Sequence, residues 1–216
     1  MKDIFSFLND LSLHNDREWM QEHKPQYQQA KKQVQEVVAS LIEGVTQFDP
    51  AIMGLTPKDC LFRLHRDTRF SKDKTPYKTN FGASIKEGGR KSIQAGYYLH
   101  LQPGNSFVGG GTYMPAATEL KKIRQEIDYC GEEFRSIIEE PEFVKTFGEI
   151  YGERLKTAPK GYPKDHPDID LLRLKSFVVL RPFSDREVMQ KYFLNKALEV
   201  CQQLKPMNDF INRSFD

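Results

Sequence analysis

The sequence has few cysteines, no long apolar run and no large excess of charge. Its three cysteines, Cys60, Cys130 and Cys201, are far apart and form no CxxC pair, so neither a disulfide framework nor the usual type of structural zinc site is expected. This cysteine usage favours a reducing compartment, the cytoplasm. The longest strictly apolar run covers residues 177–180, whereas a membrane-spanning helix needs about 20 apolar residues. We therefore predict no membrane association.

Known catalytic and metal-binding motifs are also missing. There is no Walker A loop, no GxSxG elbow and no HExxH helix, and the five histidines do not stand at metal-ligand spacings. His65-Arg66-Asp67 has the letters of a protein-kinase catalytic loop, but Lys72 stands where such a loop needs asparagine. The sequence therefore predicts no metal and no cofactor.

What is present indicates a globular chain of nearly balanced charge. The 216 residues include 32 basic and 30 acidic ones, for a formal net charge of +2, and 12% are aromatic. This composition predicts a soluble, folded protein rather than a disordered one, and the length suits a single domain over residues 1–216. The near-zero net charge argues against non-specific nucleic-acid binding by the whole surface, although the chain can still carry a local charged patch.

Apolar periodicity divides the chain into three parts. Spacings of three and four predict a helical part over about residues 1–50. Period-two alternation predicts a sheet over about residues 58–115, with a first strand starting at Cys60. Helices plus one strand follow over about residues 118–216. Because regular βαβ alternation is absent, we predict an α+β fold with a mostly antiparallel sheet flanked by N-terminal and C-terminal helices.

Local signals predict several helix ends and one unusual strand. Helix caps are predicted at Asn15, Thr118 and Asp168, and a capping box of Ser184 and Glu187 is predicted to open a long final helix through Leu204. Capping by Asp168 is favoured over a cation site shared with His166 and Asp170. The run Gly109–Gly111 predicts either a β-bulge or a close backbone approach in which backbone N–H groups line a pocket.

The segment Leu61–Ala83 concentrates positive charge. Its six cations and two acids leave a net charge of +4, although the whole chain carries only +2. Charge gathered in one place on a nearly balanced chain indicates a local function. Arginine and lysine suit phosphate and carboxylate groups, so we predict an anionic small molecule or a nucleic-acid backbone as the partner. The residues predicted to contact it are Arg63, Arg66, Arg69, Lys74, Lys78 and Tyr77, with Tyr97, Tyr98 and Tyr113 as further residues that frame the pocket.

Two other interpretations of the segment stay open. Asp67 with Arg69, and Asp73 with Lys74 or Lys78, would neutralise each other and only pin a loop, which would leave a scaffold or interaction protein. Alternatively, the chain is an enzyme acting on a phosphorylated or carboxylated small molecule, with Asp67 or His65 as the acid or base. The residues alone do not decide whether there is catalysis.

Four stretches of the chain resemble a known family. They are FLNDLSLHNDREWMQEHKPQY near the N-terminus, RLHRDTRFSKDKTPYKTNFGA in the basic segment, GYYLHLQPGNSFVGGGTYMP after it, and LKTAPKGYPKDHPDIDLLRLKSF further on. Together they resemble the bacterial conserved hypothetical family called domain of unknown function 2461, DUF2461, over nearly the whole chain. The resemblance implies a single soluble bacterial α+β domain. It implies no activity, cofactor or catalytic residue.

Overall fold

The N-terminal third is helical. The computed structural model describes residues 1–216 and places helices α1 at Lys2–Leu13, α2 at Arg17–Glu22 and α3 at Lys24–Thr46. Trp19 of α2 packs against Phe7 of α1, with 6.1 Å between ring centroids, and so joins the first two helices. The cap predicted at Asn15 was wrong. Asp16, one residue nearer the helix, accepts the hydrogen bond from the Trp19 amide at 2.8 Å, because its side chain faces the free N–H groups of the first turn.

Four strands form one antiparallel sheet, which confirms the predicted α+β class. The strands are β1 at Phe81–Ile85, β2 at Gly96–Leu101, β3 at Ser106–Thr112 and β4 at Phe177–Phe183, in the spatial order β1-β2-β3-β4. Apolar side chains of the inner face belong to a core of 44 buried residues that also includes the buried faces of α1 and α3.

The strand predicted to start at Cys60 does not form. Pro57–Cys60 is instead a helical turn, α4, because Thr56 and Asp59 make a reciprocal capping box and Pro57 suits a first helical turn. The chain beyond it makes only isolated bridges, Leu61 to Ala83 and His65 to Tyr77. Pro76, which has no N–H to donate, prevents a regular ladder there.

Five further helices complete the chain. They are α5 at Ala117–Ile138, α6 at Pro141–Phe147, α7 at Ile169–Leu172, α8 at Asp185–Val188 and α9 at Phe193–Arg213. The predicted capping box of Ser184 and Glu187 is confirmed, but α8 ends at Val188 and the long helix starts anew, where Phe193 packs edge-on against Phe183 at 5.1 Å. None of the helices has the length and apolar character needed to cross a bilayer.

Two further caps differ from prediction. The N-cap of α5 is Ala116, and Thr118 already lies inside the first turn, where its hydroxyl cannot cap. Asp168 is the N-cap residue of α7 as predicted, but its side chain makes no capping hydrogen bond. Its carboxylate instead accepts a hydrogen bond from Arg135 at 2.6 Å, because a charged guanidinium is a stronger partner than a helix amide.

Candidate functional site

The outer face of the sheet forms the floor of an open groove. The groove has a volume of about 720 Å³ and is lined by 24 residues. Strand register places Ser84, Tyr98 and Leu180 in one row across the sheet, and His100 and Phe107 in the next row. All five line the groove, because residues directly opposite each other in paired strands project from the same face.

Glycines let side chains lie flat on this floor. A Cβ atom on Gly82 would stand 2.4 Å from the Tyr98 hydroxyl oxygen, and one on Gly96 would stand 2.3 Å from the Cβ of Lys86. The Tyr98 ring and the Lys86 stem therefore cross the backbone where no side chain competes for the space.

The glycine run in β3 has a packing role. Strand pairing continues through Gly109–Gly111 with no inserted residue on either side, so the run is not a bulge. A Cβ on Gly110 would lie 2.5 Å from a methyl carbon of Leu204 in α9, and Gly111 has a φ of +98°. The predicted close backbone approach is confirmed against α9 and the neighbouring strands. Gly110 and Gly111 also line the groove, but a role for their N–H groups there stays a prediction.

Two lysines in the groove have no anionic partner. Lys78 and Lys86 are half-buried, and neither forms an ion pair within the protein. Burial lowers the pKa of both ammonium groups, and the nearby Arg63 charge lowers the pKa of Lys78 further. A third cation, Arg90, is held by the backbone carbonyls of Lys58 and Asp59 at 2.7 and 3.0 Å. These three cations of the groove thus form no ion pair within the protein.

An imidazole and a phenol lie beside these lysines. His100 stacks on Phe107 with 4.6 Å between ring centroids, and its Nε2 lies 2.9 Å from the Gln102 side-chain oxygen. Burial lowers the pKa of His100, helped by the Lys78 charge and opposed by the Gln102 contact, so the ring is neutral at pH 7. Burial raises the pKa of Tyr98, which keeps its proton. Both rings offer hydrogen bonds without charge.

The basic segment folds back on itself along the edge of β1. The Phe62 amide donates to the Gly82 carbonyl at 3.0 Å, and the Lys78 amide donates to the Leu64 carbonyl at 2.8 Å. This irregular hairpin brings Phe62 and Lys78 to the rim of the groove. Its tip points away from the core, since Phe70 is 95% exposed there.

Three of the six cations of the segment have partners within the protein. Arg69 pairs with Asp67 at 2.7 Å, and Lys74 donates to the Thr68 carbonyl at 2.9 Å. Arg66 pairs with Asp73, which holds the pKa of that carboxyl at about 2. The pairing of Asp67 with Arg69 matches the self-neutralising interpretation.

That interpretation was wrong about Asp73, whose partner is Arg66 rather than Lys74 or Lys78. The hairpin sets Arg66 beside Thr75, so its guanidinium reaches both Thr75 and Asp73. These pairs are exposed, and such pairs contribute little to stability.

The other candidate residues lie outside the groove. Tyr77 is buried, with its backbone groups bonded to the Asn15 side chain at 3.0 and 3.1 Å. His65 and Asp67 are exposed and line no part of the groove, so catalysis by either stays a prediction. Arg63 is exposed and forms no ion pair in the protein.

Of the predicted anion contacts, only Lys78 lies on the groove, together with the predicted framing residues Tyr97, Tyr98 and Tyr113. Sequence reasoning missed Lys86, Arg90 and Glu119. For Lys86 a signal existed, because the alternation of Phe81, Ala83 and Ile85 places Ser84 and Lys86 on the opposite face of the strand.

The region of His166 holds no cation site. Its Nε2 contacts Asp128 at 2.9 Å, while Asp168 and Asp170 both pair with Arg135 at 2.6 Å. These carboxylates already form ion pairs within the protein. No group of three or more His, Cys, Asp or Glu side chains in the structure has a geometry that would hold a metal ion.

Comparison with known proteins gives one match. The family model described as "Conserved hypothetical protein (DUF2461)" matches residues 3–210. No curated protein and no solved structure matches the chain.

Proposed function

We propose that this chain, which belongs to the DUF2461 family as its sequence predicted, binds a small amphipathic anion in the groove. The anion is a phosphate or carboxylate carried on an apolar or aromatic body. The observation behind this proposal is the pair of half-buried lysines, Lys78 and Lys86, that line one cavity and have no anionic partner. Removing an ammonium group from water without pairing it costs free energy, and an entering anion recovers that cost.

The shape and the lining of the groove support an organic body on the anion. A volume of about 720 Å³ falls within the range of small-molecule sites, roughly 300–1,000 Å³. Five of the twelve large hydrophobic side chains exposed on the protein belong to the groove, namely Phe62, Ile93, Tyr113, Met114 and Tyr151. Such a concentration of exposed apolar surface is typical of binding sites.

The basic segment contributes only part of the charge in this proposal. Lys78 contacts the anion, and Arg63 adds positive potential beside it. Arg66 and Arg69 hold the hairpin in shape through their ion pairs with Asp73 and Asp67. The second charged contact, Lys86, comes from the end of β1 and lies outside the segment that the sequence singled out.

Thermal unfolding at low salt tests the proposal with phenyl phosphate, benzoate, inorganic phosphate and a short oligonucleotide as probes. A ligand at 100 times its Kd stabilises the folded state by about 2.7 kcal/mol, which for a domain of this size raises Tm by about 5–10 °C. We expect the aromatic anions to give the largest shift, and 0.5 M salt to reduce it. A larger shift with the oligonucleotide would instead favour a nucleic-acid backbone as the anion source.

Matched lysine variants locate the site. Lys78→Met and Lys86→Met are each expected to reduce the ligand-induced shift, because each removes one charge from the groove. Lys72→Met is the control, since Lys72 is an exposed lysine of the same basic segment that does not line the groove. The proposal fails if no probe shifts Tm at low salt, or if the control reduces the shift as much as the groove variants do.

A further inference from the structure

The groove is lined by one acid that has no partner. Glu119, in the first turn of α5, lines the same cavity as Lys86 and is half-buried. Its Oε2 is shielded from solvent and meets no hydrogen-bond donor. Buried carboxylate oxygens almost always accept hydrogen bonds, so this atom stands out among the side chains of the groove.

Lys86 does not neutralise Glu119. No ion pair joins Lys86 to Glu119, whose Oε2 meets no donor, and burial lowers the pKa of Lys86. Two opposite charges thus line one cavity without forming an ion pair, and each is left partly desolvated. The positive end of the α5 dipole offsets part of the cost at Glu119, but it gives Oε2 no hydrogen bond. A ligand that carries both charges would complete both sites.

We propose that the groove binds a zwitterion, with a protonated amine on Glu119 and a carboxylate or phosphate on Lys86. Ile93, Tyr113 and Met114, which are exposed on the rim, cover the apolar body next to the two charged groups. The inference rests on the proposed function and narrows its ligand from an amphipathic anion to one that also carries an amine, such as an amino acid or an aminoalkyl phosphate.

Three small probes separate the two charges. Phenylalanine carries amine, carboxylate and ring, 3-phenylpropanoate lacks the amine, and 2-phenylethylamine lacks the carboxylate. Calorimetric titration of the wild-type protein at low salt is expected to give the tightest binding for phenylalanine, by about tenfold over either analogue, because one charge-assisted hydrogen bond in a desolvated site has about that value.

Variants assign each charge to its residue. Glu119→Gln is expected to weaken the binding of phenylalanine and of 2-phenylethylamine about tenfold. The binding of 3-phenylpropanoate should stay unchanged or become tighter, since an unpaired negative charge is removed. Lys86→Met is expected to weaken the binding of phenylalanine and of 3-phenylpropanoate and to leave the binding of 2-phenylethylamine unchanged. The control is Glu132→Gln, which alters an exposed glutamate of the same helix outside the groove.

The outcomes distinguish this inference from the proposed function. If 3-phenylpropanoate binds as tightly as phenylalanine and Glu119→Gln changes neither, the zwitterion inference is wrong, while loss of binding in Lys86→Met keeps the anion site. If benzoate and phenyl phosphate bind but none of these three probes does, the inference is likewise overturned and the anion site stands. If no anion of either set binds, both proposals are overturned.

Discussion

Replacing Lys86 with methionine should make the unliganded protein more stable. The lysine is half-buried, has no ion-pair partner, and its stem lies across Gly96. Methionine keeps the unbranched apolar stem and removes the desolvated charge. Substitutions of this kind commonly add about 0.5–2 kcal/mol to the free energy of unfolding. Because the group keeps part of its hydration, we expect the lower half of that range, about 0.5–1 kcal/mol, or roughly 1–4 °C in Tm.

The same substitution should weaken ligand binding. Urea unfolding gives the stability change, and Tm measured with and without phenyl phosphate gives the binding change. A gain of stability together with a loss of binding is the behaviour of a residue kept for function. Lys72→Met, on the exposed loop, should change stability by less than about 0.5 kcal/mol. If Lys86→Met lowers stability, the lysine has a structural role and the reasoning about an uncompensated charge is refuted.

The pH dependence of this variant has a defined sign. Burial lowers the pKa of Lys86 in the folded protein below that in the unfolded chain, which is about 10.4. Below the folded pKa the cost of the buried charge is fully present. As the pH rises from that pKa toward 10.4, the folded protein releases its proton first, so the wild type gains stability. The advantage of Lys86→Met should therefore shrink between neutral pH and pH 10, as measured by urea midpoints.

Two further substitutions test the contacts that support the groove. Tyr97→Phe should lower the free energy of unfolding by about 1.5–3 kcal/mol, because it removes the 2.8 Å hydrogen bond that the hydroxyl donates to the Asp49 carboxylate. An unchanged urea midpoint would show that water replaces this hydrogen bond. Gly111→Ala should cost more than about 3 kcal/mol, because a Cβ there would stand 2.0 Å from the Phe177 carbonyl oxygen at a φ of +98°. Gly54→Ala is its control, because Gly54 has a φ of +85° with open space around it, and it should lower the free energy of unfolding by only about 1 kcal/mol. Equal losses of stability in the two variants would refute the close-approach argument.

Much of the helical structure could be predicted because its signals are local. The apolar spacing in α3 and the reciprocal box of Ser184 and Glu187 act within a few residues of chain. The prediction of a strand at Cys60 was wrong because a competing local signal, Thr56 and Asp59 around Pro57, favours a helical turn there. Where two local signals overlap, periodicity alone does not decide between them.

The candidate site was harder to predict, because ion pairing depends on distances that sequence spacing does not give. Asp73 stands next to Lys74 in the chain but pairs with Arg66, which the hairpin brings beside it. Glu119 gave no signal at all, since an acid in a first helical turn is ordinary. Its lack of a partner becomes visible only when the surrounding atoms are in place.

The sequence by itself determined the family, the α+β class and the presence of a strongly basic segment beside β1. Each follows from residue identity and short-range order. Only the tertiary structure decided which charges remain free. Folding pairs Arg66 and Arg69 with acids of their own loop, and it leaves Lys78, Lys86 and Glu119 unpaired on one groove. The physical reason is that strand register and loop geometry set the distance between charges, and that distance decides whether a charge is neutralised within the protein or left for a ligand.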